Sequence, residues 1–250
     1  MIGAMLLHLP SASTFSWDID QLVLWVTILT GFWFFAAEGM FFWLLWRFRA
    51  RDGVKSRYIT GKEPELKRWI NIPHTIILVF DIVIIVMAVR VWVKVKQTMP
   101  PADDTVRIVT QQWTWSFQHS GPDGVLDTAD DVWTSDTLHV AVGKTYHFML
   151  ESKDVIHSFF VPVFRLKQDA IPGRTISGWF KPTKTGNYDI LCAEICGIGH
   201  GIMGGRIVIE SPEQHAAWVS QHSVAAGAAA AATESTEGGS APGGSAVAKN

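Results

Sequence analysis

The chain has 250 residues, a formal net charge of −2, 48% hydrophobic residues and only 18% charged ones. That length allows one or two domains, and so small a net charge gives no ground for expecting a nucleic-acid partner. Hydropathy is spread unevenly, so the class is decided by where the apolar residues lie.

Residues 1–20 form a first segment without a basic n-region or an obvious small-residue cleavage site, so a cleaved signal peptide is not expected. Residues 21–46 are a nearly continuous apolar run, and a second run spans Ile72 to Val93. Each exceeds the ~20 residues, about 30 Å of helix, that cross a hydrocarbon layer. A two-helix transmembrane hairpin over residues 21–98 is the expectation, with the first helix serving as the export signal. The segment between the runs carries Arg47, Arg49, Arg51, Lys55, Arg57, Lys62, Lys67 and Arg68, whereas the first 24 residues contain no Lys or Arg. The positive-inside rule makes that loop cytoplasmic and puts both ends of the chain outside. Glu38 and Asp81 lie within the runs. A charged carboxylate there costs roughly 2.5–3.5 kcal/mol on insertion scales, so they are expected to face a partner or each other.

From about Met99 the pattern becomes that of strands. Leu138, Val140 and Val142 alternate, Gly143-Lys144 turns the chain, and Tyr146, Phe148 and Leu150 alternate again. Thr175 to Phe180 and the strand around Tyr188-Asp-Ile-Leu read as a further hairpin, and Gly205-Arg-Ile-Val-Ile-Glu as the closing strand. Short strands with Gly and Pro turns predict an all-β sandwich or small barrel over 99–223. The acidic stretch Asp123-Gly-Val-Leu-Asp127-Thr-Ala-Asp130-Asp131 has the oxygen-rich spacing of a calcium loop but lacks the full pattern and the terminal Glu. A solvated acidic turn is expected there. Residues 224–250 are Ala, Gly, Ser, Thr and Pro without an apolar face, the composition of a disordered tail.

The most specific feature is His157-x34-Cys192-x3-Cys196-x3-His200-x2-Met203. Two cysteines in an exported domain most often form a disulfide. A lone buried His or Met is most often core. The joint spacing favours a metal instead: thiolate and thioether suit Cu(I), and imidazole suits both copper states. One Cys, two His and a Met would make a mononuclear site. A second Cys allows two thiolates to bridge two copper ions. Zinc also takes Cys and His, but Met is a poor zinc ligand.

These segments, with Asp154-Val-Ile-His157-Ser, Lys167-Gln-Asp-Ala-Ile-Pro-Gly-Arg174 and Gln112-Trp113-Thr-Trp115, resemble subunit II of haem-copper cytochrome c oxidase over roughly residues 20 to 215. The resemblance implies a cupredoxin Greek-key barrel behind the two helices, on the outer face of the membrane; the compartment there is the periplasm or the mitochondrial intermembrane space, and a bacterial inner membrane with the barrel on its periplasmic face is the expectation. It implies a binuclear copper centre, CuA, with Cys192 and Cys196 bridging, His157 and Met203 completing one ion, and His200 with the carbonyl of Glu194 completing the other. It implies that the Glu194 carboxylate reaches a magnesium ion at the contact with subunit I. Trp113 would be the point of electron uptake from cytochrome c, with Thr114 replacing the usual Tyr, and Asp154 a docking residue. Lys153 stands where the family is often acidic.

Residues 97–223 hold 14 Asp and Glu against 9 Lys and Arg, a net of about −5, which suits a basic donor. Glu65 lies near the family's proton-channel Glu but one residue out of register. The function implied is passage of electrons from cytochrome c to haem in subunit I, where oxygen is reduced to water and protons are translocated, with the other oxidase subunits as partners. A CuA-containing nitric oxide reductase would look the same in this chain. A quinol oxidase subunit would lack the five side-chain ligands, and a copper carrier would need no Trp113. The absence of Cys-x-x-Cys-His excludes covalent haem.

Overall fold

The computed structural model describes residues 10–55 and 60–223. The tail expected over 224–250 lies outside the described residues. The chain forms two compact units, one from Phe15 to Met99 and one from Pro100 onward that also takes in Ser11–Thr14.

In the first unit α1 (Ser16–Arg47) and α2 (Pro64–Trp92) are long helices, and Val93–Gln97 continues α2 as a π-helical turn. At 1.5 Å per residue, either exceeds the ~30 Å of a hydrocarbon core. Their large apolar side chains face outward, with Phe35, Trp46 and Ile70 among those exposed. A soluble protein does not leave such a surface to water; two membrane helices are what this hairpin is built to be. Trp33 of α1 meets Phe80 of α2 edge-on at 5.9 Å, and Lys94 pairs with Asp18 at 2.6 Å. Asp81 lines a groove of about 400 Å³ with Thr30, Trp33 and Phe80. Glu38, further along α1, is not among the groove's residues.

The second unit holds ten strands in two five-stranded sheets. The strands are β1 (Asp104–Gln111), β2 (Thr114–His119), β3 (Val132–Ser135), β4 (Thr137–Ala141) and β5 (Tyr146–Ser152), then β6 (His157–Val161), β7 (Leu166–Ala170), β8 (Ile176–Phe180), β9 (Gly186–Cys192) and β10 (Gly204–Glu210). One sheet runs β3-β2-β1-β5-β8 and the other β4-β10-β9-β6-β7. This is the cupredoxin sandwich that the strand pattern and the resemblance implied. The alternation expected of β4 and β5 is present: Leu138, Val140, Tyr146, Phe148 and Leu150 are buried. Between the sheets lies an aromatic core in which Trp115 and Phe117 meet Phe159 edge-on and Phe148 meets it at a tilt. Each such side chain contributes about 1.5–3 kcal/mol by leaving water.

Two pairings differ from expectation. The strands flanking Gly143 do not form a hairpin, and neither do the strands at Thr175–Phe180 and Tyr188–Leu191, because in each case the chain crosses from one sheet to the other. Alternation fixes which face of a strand is buried and leaves its neighbour open. In a sandwich, an arch between sheets buries the same residues as a hairpin would. The segment Ser11–Thr14 adds to this unit through Ala12 N–H to the Val163 carbonyl and Thr183 N–H to the Ala12 carbonyl. A final helix, α3, spans residues 212–223. The sequence pattern carried the domain to residue 223 but gave no helix after the last strand. Its signal is Ser211-Pro212-Glu-Gln214, a capping box with Pro at the first helical position. The Gln214 N–H donates to Ser211 Oγ at 3.2 Å and the Ser211 N–H to Gln214 Oε1 at 3.1 Å.

Candidate metal centre

Strand β9 organises the site because it pairs antiparallel with both β6 and β10. Register sets Phe159 of β6 opposite Cys192 and Gly204 of β10 opposite Leu191. His157, two residues before Phe159 on the same face, is thereby brought beside the end of β9. The Cys192 N–H donates to the Met203 carbonyl at 3.2 Å and the Ala193 N–H to the Ser158 carbonyl at 3.1 Å. The loop between Cys192 and Met203 thus joins adjacent strands and closes on itself through the turn His200–Ile202.

All five expected side-chain donors meet here. His157 Nδ1 is 3.1 Å from Met203 Sδ and 3.9 Å from Cys192 Sγ. Cys192 Sγ is 3.7 Å from Cys196 Sγ, which is 3.6 Å from His200 Nδ1 and 3.7 Å from Met203 Sδ. The donor atoms of His157, Cys192 and Cys196 lie within 4.8 Å of one another. His200 joins the group through Cys196. Both thiols are free, so the disulfide reading does not hold. Burial first, and the neighbouring Cys192 thiol second, push the Cys196 thiol up from its ordinary value; without metal it carries its proton.

The surroundings aim these groups. Asp154 Oδ1 lies 2.9 Å from His157 Nε2. A carboxylate there holds the imidazole proton on Nε2 and turns the Nδ1 lone pair to the sulfurs, the arrangement carboxylates commonly impose on metal-bound histidines. Burial works to raise Asp154, but the Gln112 N–H, His157 and the Val155 N–H outweigh it and hold the carboxyl below its usual range. Sequence reading gave Asp154 a role at the docking surface; its contact with a ligand histidine was missed. Three-residue spacing to His157 was the available signal. Glu194 presents its carbonyl oxygen 3.3 Å from Cys192 Sγ, while its carboxylate accepts from Lys167 Nζ at 2.9 Å. Lys167 also reaches Asp169 at 3.0 Å.

Trp113 and Trp115 separate into two roles. Trp115 is wholly buried against Phe159, as barrel packing requires, whereas Trp113 is 38% exposed. The Trp113 indole N–H donates to the Cys196 carbonyl at 3.2 Å, and Gln112 Nε2 donates to the same oxygen at 2.7 Å. The indole lies so close to the loop that a Cβ at Gly199 would stand 2.4 Å from its ring. Gly197, at φ +119°, is likewise crowded by Gln112 and Trp113. The pair Gly197-Ile-Gly199 is thus the sequence trace of this contact, and sequence reading did not use it. Ile195, Ile198 and Ile202 on the same loop stand 81%, 97% and 86% exposed, an apolar rim that water alone does not favour.

The donor set fits copper. Two thiols side by side can each bridge two ions once deprotonated, an imidazole nitrogen lies toward each side, and a thioether sits at the flank. A structural zinc site would take four Cys or His ligands at one point; here His157, Cys192 and Cys196 gather within 4.8 Å, His200 meets Cys196, and the Met203 thioether lies against both His157 and Cys196. The acidic loop, by contrast, is already satisfied by protein. Asp127 pairs with Arg107 at 2.5 and 3.0 Å and is lowered to about 2, chiefly by that hydrogen bond. Asp131 accepts from Gln118 at 2.5 Å and Asp130 from the Thr128 hydroxyl at 2.6 Å. Among the described residues these carboxylates form no metal cluster. Glu65 is exposed in the first turn of α2, in the other unit.

Comparison with known proteins agrees with this geometry. Residues 127–212 match the family model described as cytochrome c oxidase subunit II, periplasmic domain. An alternative cytochrome c oxidase subunit 2 of Bradyrhizobium diazoefficiens is 30% identical, the alignment covering 90% of each chain. A cytochrome c oxidase subunit 2 of Thermostichus vulcanus is 42% identical over 48% of this chain and 34% of its own. Among solved structures, the periplasmic domain of subunit II of the cytochrome oxidase of Bradyrhizobium japonicum aligns with 50% of this chain and 96% of its own, at 31% identity and a TM-score of 0.45. The chain belongs to the cytochrome c oxidase subunit II family and is a membrane-anchored subunit of a haem-copper oxidase.

Proposed function

We propose that the chain is the electron-accepting subunit of a proton-translocating cytochrome c oxidase, holding a binuclear copper centre between Cys192 and Cys196. The observation that carries this is the convergence of His157, Cys192, Cys196, His200 and Met203 at one end of the β-unit, with both thiols free. Bound there, the metal pair supplies a site that takes up and gives back one electron at a time. The residues supply the rest. His157, Met203, His200, the Glu194 carbonyl and the two cysteine sulfurs are the groups that would hold the pair. Asp154 keeps His157 in the tautomer that binds.

Trp113 offers the route inward. Its exposed ring meets the donor, and its N–H touches the carbonyl of Cys196, so one hydrogen bond separates the surface from a ligand residue. The donor in this reading is cytochrome c, met by the rim of Ile198 and Ile202 and by the domain's net negative charge. Electrons pass on to haem in subunit I, where oxygen is reduced to water. The β-unit stands on the periplasmic face of a bacterial inner membrane, with the basic loop after α1 in the cytoplasm. The Glu194 carboxylate, now paired with Lys167, is the group that would hold a magnesium ion at the subunit I contact.

The test is the oxidase assembled with Trp113→Phe in this chain. Stopped-flow reduction by cytochrome c should slow at least tenfold, with copper content and visible spectrum unchanged. An unaltered rate would remove Trp113 from the route; lost copper would make its role structural.

A further inference from the structure

Four of the nine histidines surround one indole at the far end of the β-unit from the cysteines. Strands β2 and β10 both run from the metal end to this one, from Thr114 to His119 and from Gly204 to Glu210. Trp218 of α3 receives His139 of β4 face to face at 4.1 Å, His119 of β2 edge-on at 5.1 Å, and His215 and His222 of its own helix at 5.9 and 4.7 Å. We propose that this cluster is a pH-operated latch: α3 is held on the base of the β-unit by neutral imidazoles and comes away when they take up protons.

The charge balance forces this. Glu210 accepts from both His139 Nδ1 and His215 Nδ1, each at 3.3 Å. One carboxylate can offset one positive charge, and three imidazoles converge. His119 has no share in Glu210. The Thr134 hydroxyl gives its proton to the Thr137 carbonyl, so its oxygen accepts from His119 Nε2 at 3.2 Å, which leaves Nδ1 as the position where a second proton would add. His119 and His215 are 3% and 4% exposed, leaving water little access to a second charge. Beyond Glu210, Asp104 favours a positive charge on His215 and Lys144 opposes one, while His119 is left with the repulsion of His139 and His215. Asp103, Asp104 and Lys144 line a cavity of about 350 Å³ that His215 also lines. The Asp104 carboxylate is engaged by the Ser120 hydroxyl at 2.6 Å and Asp103 by the Thr145 N–H at 2.7 Å. The Tyr146 hydroxyl oxygen accepts from the Ala141 N–H at 2.8 Å. His222, exposed, is bonded to the Trp218 carbonyl at 2.8 Å.

Burial first, then His139 and His215, hold His119 down to about 3. Burial also lowers His139 and His215, against Glu210. A released imidazole titrates near 6.5. The neutral form is thus the one the closed state binds. Its advantage is whole above about pH 6.5 and is lost as pH falls from there toward 3. For His119 alone the open-to-closed ratio rises about 30-fold between pH 7.5 and pH 5.0.

Hydrogen exchange of the full-length chain in detergent, read by mass spectrometry and corrected for intrinsic rates, tests this. Protection of residues 212–223 should fall about 30-fold from pH 7.5 to 5.0, while β1 and β5 keep theirs. His119→Gln should flatten that response; should it not fold, His215→Gln serves, since it removes a titrating ring at the helix itself. The proposal is overturned if α3 protection is the same at both pH values, if it falls equally in the folded variant, or if β1 and β5 fall in step with α3.

Discussion

The two ends of the β-unit gather the same kind of residue to opposite effect. At one end His157 and His200 turn bare nitrogens toward two free thiols and a thioether, and few of those atoms have a protein donor to satisfy them. At the other end His119, His139 and His215 are each taken up by Thr134 or Glu210 and stacked round Trp218. Histidine density does not distinguish a metal site from a packed cluster. What distinguishes them is whether the lone pairs are left facing one another or the rings are tied down through their N–H groups and packed round an indole. Asp154 makes the difference at the metal end, because it occupies Nε2 of His157 and so commits Nδ1 to the sulfurs.

That contrast can be broken at three places. Cys196→Ser should have the largest effect: copper content falls from two ions per chain to one or none, measured by metal analysis of the purified full chain, while strand content by circular dichroism is kept. Retention of two ions would show that the second thiol is not a bridge. Asp154→Asn should weaken copper retention by about 10–100-fold in a chelator competition, since an amide no longer fixes the imidazole tautomer. The same substitution should leave the far-end histidine cluster unmoved, and an equal loss of α3 protection would contradict the independence of the two ends. Gly199→Ala should be the smallest. Its Cβ would stand 2.4 Å from the Trp113 ring, so the indole must shift at a cost of about 1–3 kcal/mol. A lowered melting midpoint with copper content intact is the expected reading.

Much of this was legible in the sequence, for identifiable reasons. The ligand spacing was legible because four of the five donors lie in one loop between adjacent strands, so chain distance and spatial distance agree. His157 was legible only through the wider motif, since the β6–β9 pairing that delivers it spans over thirty residues. The two helices were legible from apolar length alone. Strand neighbours were not, because an arch between sheets and a hairpin within one bury the same alternate residues. Helix α3 escaped because its apolar content is small. Only the Ser211–Gln214 capping box and Trp218 mark it, and Trp218 gains its meaning from histidines that are nearly a hundred residues distant. Gly197 and Gly199 carry no side chain to read, and their necessity appears only once Trp113 is seen lying on the loop.

The central claim is that Cys192 and Cys196 together hold two copper ions. The most direct measurement is copper stoichiometry with electron paramagnetic resonance on the full-length chain purified in detergent and loaded with copper. The account predicts two coppers per chain and a seven-line hyperfine pattern, the signature of one unpaired electron shared equally by two copper nuclei. One copper per chain with a four-line pattern would contradict it.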